Sequence, residues 1–191
     1  MTLTAANQLT FLRLLLVPAL ALCLLYRQNG WALVTLLAAG LTDGLDGIIA
    51  RRTGQPTTLG AWLDPVADKL LLATMFVMLA VPDLGQPNRL PLWLAVLVIS
   101  RDVAIVLTVA VVNLAIGPRT FLPTIYGKTA TAIYVATGVV TLFFNYLGRP
   151  SALVRACVWA ALAITIVSGL HYVVRALRIL NEPSGRRAAG A

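Results

Sequence analysis

The chain has 191 residues, of which 59% are hydrophobic and only 12% charged, with a mean hydropathy of +0.86 and a net charge of +8. A soluble domain carries about 45–50% apolar and about 25% charged residues, so this composition excludes an ordinary water-soluble globule and points to a bilayer. The basic residues are scattered between apolar runs rather than gathered in a stripe, which excludes nucleic acid as the natural partner and favours anionic lipid headgroups.

Residues 1–9 are mildly polar, and Thr4 or Asn7 is placed to cap a helix starting near Gln8. The first apolar run, 9–26, is interrupted by Arg13 and Pro18. It lacks the charged front and small-residue cleavage site of a signal peptide and reads as a first span. Arg13 can snorkel to the interface or point into the protein. Gln28-Asn29-Gly30 reads as a tight turn, and a second span over 31–50 ends at Asp43 and Asp46, with Arg51 and Arg52 beyond. A polar loop at 53–59 leads to a third span, 59–81, carrying Asp64, Pro65, Asp68 and Lys69 in its first half. A turn-rich stretch, 82–90, precedes a fourth span, 91–116, with Arg101-Asp102 inside it. The fifth span, 125–147, has Lys128 near its start, and the sixth covers 152–180. Residues 1–180 then form one domain, and 181–191 a flexible tail.

Spans of about 20 residues match a hydrocarbon core about 30 Å thick. The expected fold is therefore an all-α integral membrane protein with six transmembrane helices. An even number of spans puts both termini on one side. Arg51, Arg52, Arg119, Arg175, Arg178, Arg186 and Arg187 fall on that side, and Arg27, Arg89, Arg149 and Arg155 opposite. The bias makes the termini cytoplasmic. Cys23 and Cys157 sit in apolar runs as small hydrophobes, and His171 is a lone histidine, so neither a disulfide framework nor a zinc site is indicated. The four tryptophans, Trp31, Trp62, Trp93 and Trp159, suit an aromatic belt.

Chemistry concentrates between Asp43 and Asp68. The chain has only seven acidic residues, and Asp43, Asp46, Asp64 and Asp68 flank one short loop. Residues three or four apart share a helix face, so each pair points one way. Converging carboxylates in apolar surroundings repel one another and stay protonated unless a cation intervenes. Oxygen ligands of this kind suit Mg²⁺, Mn²⁺ or Ca²⁺ rather than zinc. The competing reading, interfacial caps and salt bridges, has only Arg51 and Lys69 as cations close in sequence for four acids. An ion-coupled transporter is the alternative of another class, since intramembrane acids mark ion paths. It gives no role to Gly47, Ala50 and Arg51.

The stretch Asp43-x-x-Asp46-Gly47-x-x-Ala50-Arg51, eight residues, Gly60, three residues, Asp64, three residues, Asp68 resembles the signature of the CDP-alcohol phosphotransferase family at every fixed position. The resemblance implies a six-helix, usually homodimeric membrane enzyme. It moves a substituted phosphate from a CDP-linked donor, here CDP-diacylglycerol, to an alcohol and releases CMP in phospholipid biosynthesis. It also implies a site of two Mg²⁺ or Mn²⁺ ions held by Asp43, Asp46, Asp64 and Asp68, facing the cytoplasm, with Asp68 as general base. Nucleotide contacts fall to Gly47, Ala50, Arg51 and Gly60, and to Asn7 and Thr10 in Asn-x-x-Thr-x-x-Arg13. Acceptor contacts fall to Arg101, Arg119 and Lys128; an internal Arg101–Asp102 ion pair, and interface anchoring by Arg119, Lys128 and Arg155, are the plainer readings of those residues. Two acceptors compete. Ser100-Arg101-Asp102, Val109 and Gly127-Lys128-Thr129-Ala130 lack two cations of the branch that uses glycerol-3-phosphate. Ile99-Ser100-Arg101-Asp102-Val103 resembles the eukaryotic-type cardiolipin synthases, so the balance leans to phosphatidylglycerol. A bacterial inner membrane is the expected location.

Overall fold

The computed structural model describes residues 5–53, 58–116 and 125–180, and within them the side chains of residues 8, 10–42, 65–82, 84–108, 110, 114 and 125–174. The described residues form six α-helices and no strand: α1 (Ala5–Leu25), α2 (Asn29–Thr53), α3 (Thr58–Ala80), α4 (Leu92–Ile116), α5 (Ile125–Tyr146) and α6 (Ala152–Leu180), with one 3₁₀ turn at Pro82–Leu84. The expected 181–191 tail lies outside the described residues.

Long runs of Leu, Ala and Val set these helices, and the breaks fall where the chain can adopt a left-handed residue. After α1, Arg27 N–H donates to Leu24 O at 3.1 Å and Gln28 N–H to Cys23 O at 2.8 Å. Arg27 takes φ 57° there. The end of α5 repeats this closure: Gly148 (φ 66°) donates to Asn145 O and Arg149 to Phe144 O, both at 3.1 Å. This pairing is the Schellman closure, which favours glycine at the left-handed position. Two expectations shift. The turn falls at Tyr26-Arg27, so Asn29 and Gly30 open α2. Helix α1 begins at Ala5, which puts Asn7 inside its first turn rather than at a cap ahead of Gln8.

Helix α1 packs on α2 and α3, α5 on α6 and α2, and α4 on α3 and α6, with a lighter α3–α5 contact. The core is Leu, Ala, Met and Phe from facing helices, including Leu36, Met75, Phe76 and Leu142. A Cβ on Gly138 of α5 would overlap Met75 Sδ, so the glycine is what lets α5 approach α3. Three buried threonines bond to their own helix: Thr137 to Ile133 O and Thr141 to Thr137 O, each at 2.7 Å, and Thr165 to Ala161 O at 2.6 Å. Leu15, Leu22, Val106 and Leu170 face outward and more than half exposed. Apolar outside and small polar inside suits a hydrocarbon solvent. Among the described residues, Ile125–Tyr146 and Ala152–Val174 are long and apolar enough to cross a membrane.

One end of the bundle is closed by two asparagines. Asn88 N–H donates to Asn145 Oδ1 at 2.8 Å, and Asn145 Nδ2 donates to Asn88 O at 3.0 Å. Asn88 Nδ2 also reaches Arg149 O at 2.7 Å, and Asn88 Oδ1 accepts from Ser151 N–H at 2.8 Å. This lock ties the α3–α4 connection to the α5–α6 turn. At the opposite end α2 finishes and α3 begins.

Candidate active site

Helices α2 and α3 both pack on α1 and α5, and no substantial α2–α3 contact occurs among the described residues. A hollow of about 60 Å³ fills the space, lined by Leu36, Ala39 and Gly40 of α2, Asp68, Leu71 and Leu72 of α3, and Thr131 and Val135 of α5. Among the described residues no heavy atom would lie within 4 Å of a Cβ placed on Gly40, so they leave that wall open. Asp68 is the carboxylate on this hollow.

The partner of Asp68 comes from α1. Arg13 Nη1 donates to Asp68 Oδ1 at 2.8 Å. Arg13 is 0% exposed and Thr10, one turn earlier, 1%. Residues three apart share a helix face, so the Thr10–Arg13 face is the one pressed into the protein. Of the two dispositions open to Arg13, the structure takes the inward one. A buried guanidinium is costly unless paired and hydrogen-bonded, and the carboxylate on α3 supplies the pair.

A second charged cluster joins α3, α4 and α6. Asp102 takes Lys69 Nζ on one oxygen at 3.0 Å and Arg101 Nη1 on the other at 2.6 Å. Lys69 therefore pairs with Asp102, rather than serving as counter-ion to the Asp43–Asp68 carboxylates. Arg101 Nε donates to Ser168 Oγ at 3.1 Å, and its guanidinium lies 5.7 Å from the centre of the Tyr172 ring. The Arg101 side chain is only 9% exposed, and its Nη2 is buried with no hydrogen-bond partner among the described residues. An unsatisfied buried donor costs about 1–3 kcal/mol. An anionic ligand here would remove that cost. The internal ion pair and an acceptor contact are thus compatible roles for one side chain.

The other sequence-predicted residues divide by location. Asp43, Asp46, Gly47, Ala50 and Arg51 lie in the last part of α2, Gly60 and Asp64 in the first part of α3, and Asn7 at the start of α1; their side chains lie outside the described residues. Arg119 lies outside the described residues altogether. Lys128 sits exposed in the first turn of α5. His171 lies inside α6 with its ring 4.7 Å from that of Tyr126. Sequence reasoning missed three contacts, those of Arg13 with Asp68 and of Arg101 with Ser168 and Tyr172. The i, i+3 spacing of Thr10 and Arg13 was the available signal for an inward face. An all-oxygen donor set of four aspartates on consecutive helices fits a hard divalent cation. The inward Arg13 supplies one positive charge beside Asp68.

Residues 3–167 match the sequence model of the CDP-alcohol phosphatidyltransferase family. A probable phosphatidylglycerophosphate synthase of Mycobacterium tuberculosis is 36% identical over 182 residues, covering 91% of this chain and 81% of that protein. Human cardiolipin synthase (CMP-forming) is 32% identical over 199 residues, covering 94% of this chain and 64% of the human protein. A putative cardiolipin synthase of Mycobacterium bovis is 30% identical over 157 residues, covering 81% of this chain and 66% of that protein.

Proposed function

Because the chain belongs to the CDP-alcohol phosphatidyltransferase family, we propose a specific version of that family's reaction: transfer of the phosphatidyl group of CDP-diacylglycerol to the free hydroxyl of phosphatidylglycerol, giving cardiolipin and CMP. The transferase class and its place in phospholipid biosynthesis follow from membership. The acceptor is our reading, and glycerol-3-phosphate is its competitor.

In this reading Asp68 takes the proton of the acceptor hydroxyl. The resulting oxygen attacks the lipid-side phosphorus of the CDP anhydride. The anhydride P–O bond breaks, and its electron pair leaves on the phosphate of CMP. Asp43, Asp46, Asp64 and Asp68 hold Mg²⁺ or Mn²⁺, in a two-ion site. Such ions neutralise the pyrophosphate and stabilise the departing oxygen when bound. Arg51 clamps phosphate, Gly47 and Gly60 allow close approach of the nucleotide, and Asn7, Thr10 and Ala50 line its pocket. Arg101, with Arg119 and Lys128, receives the acceptor's phosphate.

Charge at the second cluster supports the lipid acceptor. Lys69 and Arg101 share Asp102, so the carboxylate offsets one of the cations available to the acceptor's phosphate. A reduced positive charge suits the one charge of a phosphodiester. A phosphomonoester carries about −1.5 to −2 at neutral pH and is poorly matched. Similar proteins bear both names, so incubation decides. Purified protein is given CDP-diacylglycerol, Mn²⁺ and one acceptor at a time. Cardiolipin formation with phosphatidylglycerol is expected; turnover with glycerol-3-phosphate alone would end the lipid-acceptor reading.

The same proposal carries six spans in one domain over 1–180, both termini and the Asp68 end of the bundle in the cytoplasm, a bacterial inner membrane and a homodimer. The basic bias of the loops supports the orientation. The dimer rests on the family resemblance.

A further inference from the structure

We propose that Ser168 of α6 is a positioning residue for the acceptor: it holds Arg101 Nε and thereby aims the buried Nη2 of Arg101 at the acceptor's phosphate. The inference rests on Arg101 receiving that phosphate. It is independent of which acceptor is used, since phosphatidylglycerol and glycerol-3-phosphate both present phosphate oxygens.

A guanidinium is planar, with its N–H donors in a fixed fork, so two anchored nitrogens determine where the third points. Nη1 donates to Asp102 Oδ1 at 2.6 Å. That carboxylate is on the next residue of the same helix, and one bond leaves the fork free to turn about it. The second anchor comes from another helix: Nε donates to Ser168 Oγ at 3.1 Å. Ser168 is 0% exposed. Its own proton goes to Thr165 O at 3.3 Å, which leaves a lone pair for Arg101. Thr165 is fixed in turn. Its Oγ1 donates to Ala161 O at 2.6 Å and so accepts from Tyr134 O–H at 2.7 Å. Tyr134 is a core residue of α5, edge-on to Phe76 of α3 with 5.6 Å between ring centres. Ser168 thus belongs to a bonded chain through α5 and α6. Tyr172, one turn further along the same face of α6, lies 5.7 Å from the guanidinium and limits its tilt. With Nε and Nη1 engaged, Nη2 remains, buried and without a partner among the described residues, on a side chain only 9% exposed. A buried donor on a charged group is costly to leave unmatched, and a phosphate oxygen is the acceptor that suits a guanidinium.

A purely structural α4–α6 staple is the competing account, and kinetics separates the two. Ser168→Ala removes the anchor with the loss of one atom, and Ser168→Thr keeps the hydroxyl. Both are made in the full-length enzyme and measured with phosphatidylglycerol, or with glycerol-3-phosphate should only that acceptor turn over. Ser168→Ala is expected to raise the acceptor KM by about 3- to 10-fold, the worth of one net hydrogen bond, with the KM for CDP-diacylglycerol within about twofold. Ser168→Thr is expected to recover most of that loss. Asn145→Ala, in the lock at the closed end, serves as a destabilised control. A folded Ser168→Ala enzyme whose acceptor KM stays within about twofold of wild type overturns the proposal. So does an equal rise in both KM values, or a rise that the control reproduces at equal melting temperature. Should Ser168→Ala fail to fold, Ser168→Cys decides, because it keeps the volume with a weaker acceptor: a raised acceptor KM alone supports positioning, and an unchanged one overturns it. Arg101→Gln is measured alongside. An unchanged acceptor KM in that variant removes Arg101 from the acceptor site and the inference with it. A raised KM there beside an unchanged one in Ser168→Ala overturns the positioning role alone.

Discussion

Arg101 is the most tightly held charged side chain of the second cluster. Asp102, Ser168 and Tyr172 fix its guanidinium on three sides, while Nη2 stays buried without a partner among the described residues. If that donor awaits an acceptor phosphate, Arg101→Gln should raise the acceptor KM by about 10- to 100-fold, the value of a hydrogen bond to a charged group. The KM for CDP-diacylglycerol should stay put. A lower melting temperature with both constants unchanged would mark Arg101 as structural only. Asp68 and Arg13 meet through a 2.8 Å bond across 55 residues of chain.

At the level of elements, two joints fix how the helices sit. The Asn88–Asn145 lock exchanges bonds between a loop and α5 where both residues are buried. Asn145→Ala leaves Asn88 N–H without its acceptor, and each such loss costs about 1–3 kcal/mol. We expect a clear drop in stability on SDS titration, with the kcat of the remaining folded enzyme unchanged because the lock lies at the other end of the bundle from Asp68. The second joint is Gly138 against Met75. Met75 is fully buried, so a large side chain at 138 has no room. Overpacking of this kind costs about 1–3 kcal/mol. Gly138→Leu should lower the melting temperature, and activity should fall with it, because α3 carries Asp68 and α5 lines the hollow.

The molecule as a whole has one end fastened by hydrogen-bonded turns, while α2 finishes and α3 begins at the other. If the four aspartates act only with divalent ions, EDTA should abolish CMP release and Mn²⁺ or Mg²⁺ should restore it, with zinc failing because it prefers nitrogen and sulfur ligands. Turnover that survives chelation would overturn the metal reading while leaving family membership intact. Outward Leu and Val along the helices also predict that activity depends on lipid or detergent, since water would drive those faces together.

By itself the sequence determined which stretches are helical and which family the chain belongs to. Apolar runs between Gly, Pro and Arg breaks fixed α3, α4, α5 and α6 to within a residue or two, and α6 at 152–180 agrees at both ends. Those signals are local: hydrogen bonds four residues apart and the solvent preference of each segment. The turn before α2 was misplaced because Arg27 holds the left-handed position that composition assigns to the Asn29-Gly30 pair, and α1 begins earlier than expected, at Ala5. What only the tertiary structure decided is partnership. The Asp43–Asp68 spacing gave the acids and the family, but Arg13 facing Asp68, Lys69 turning to Asp102, and Ser168 and Tyr172 holding Arg101 each depend on the rotation of one helix against another. That rotation is set by packing among residues far apart in the chain, and no local pattern encodes it.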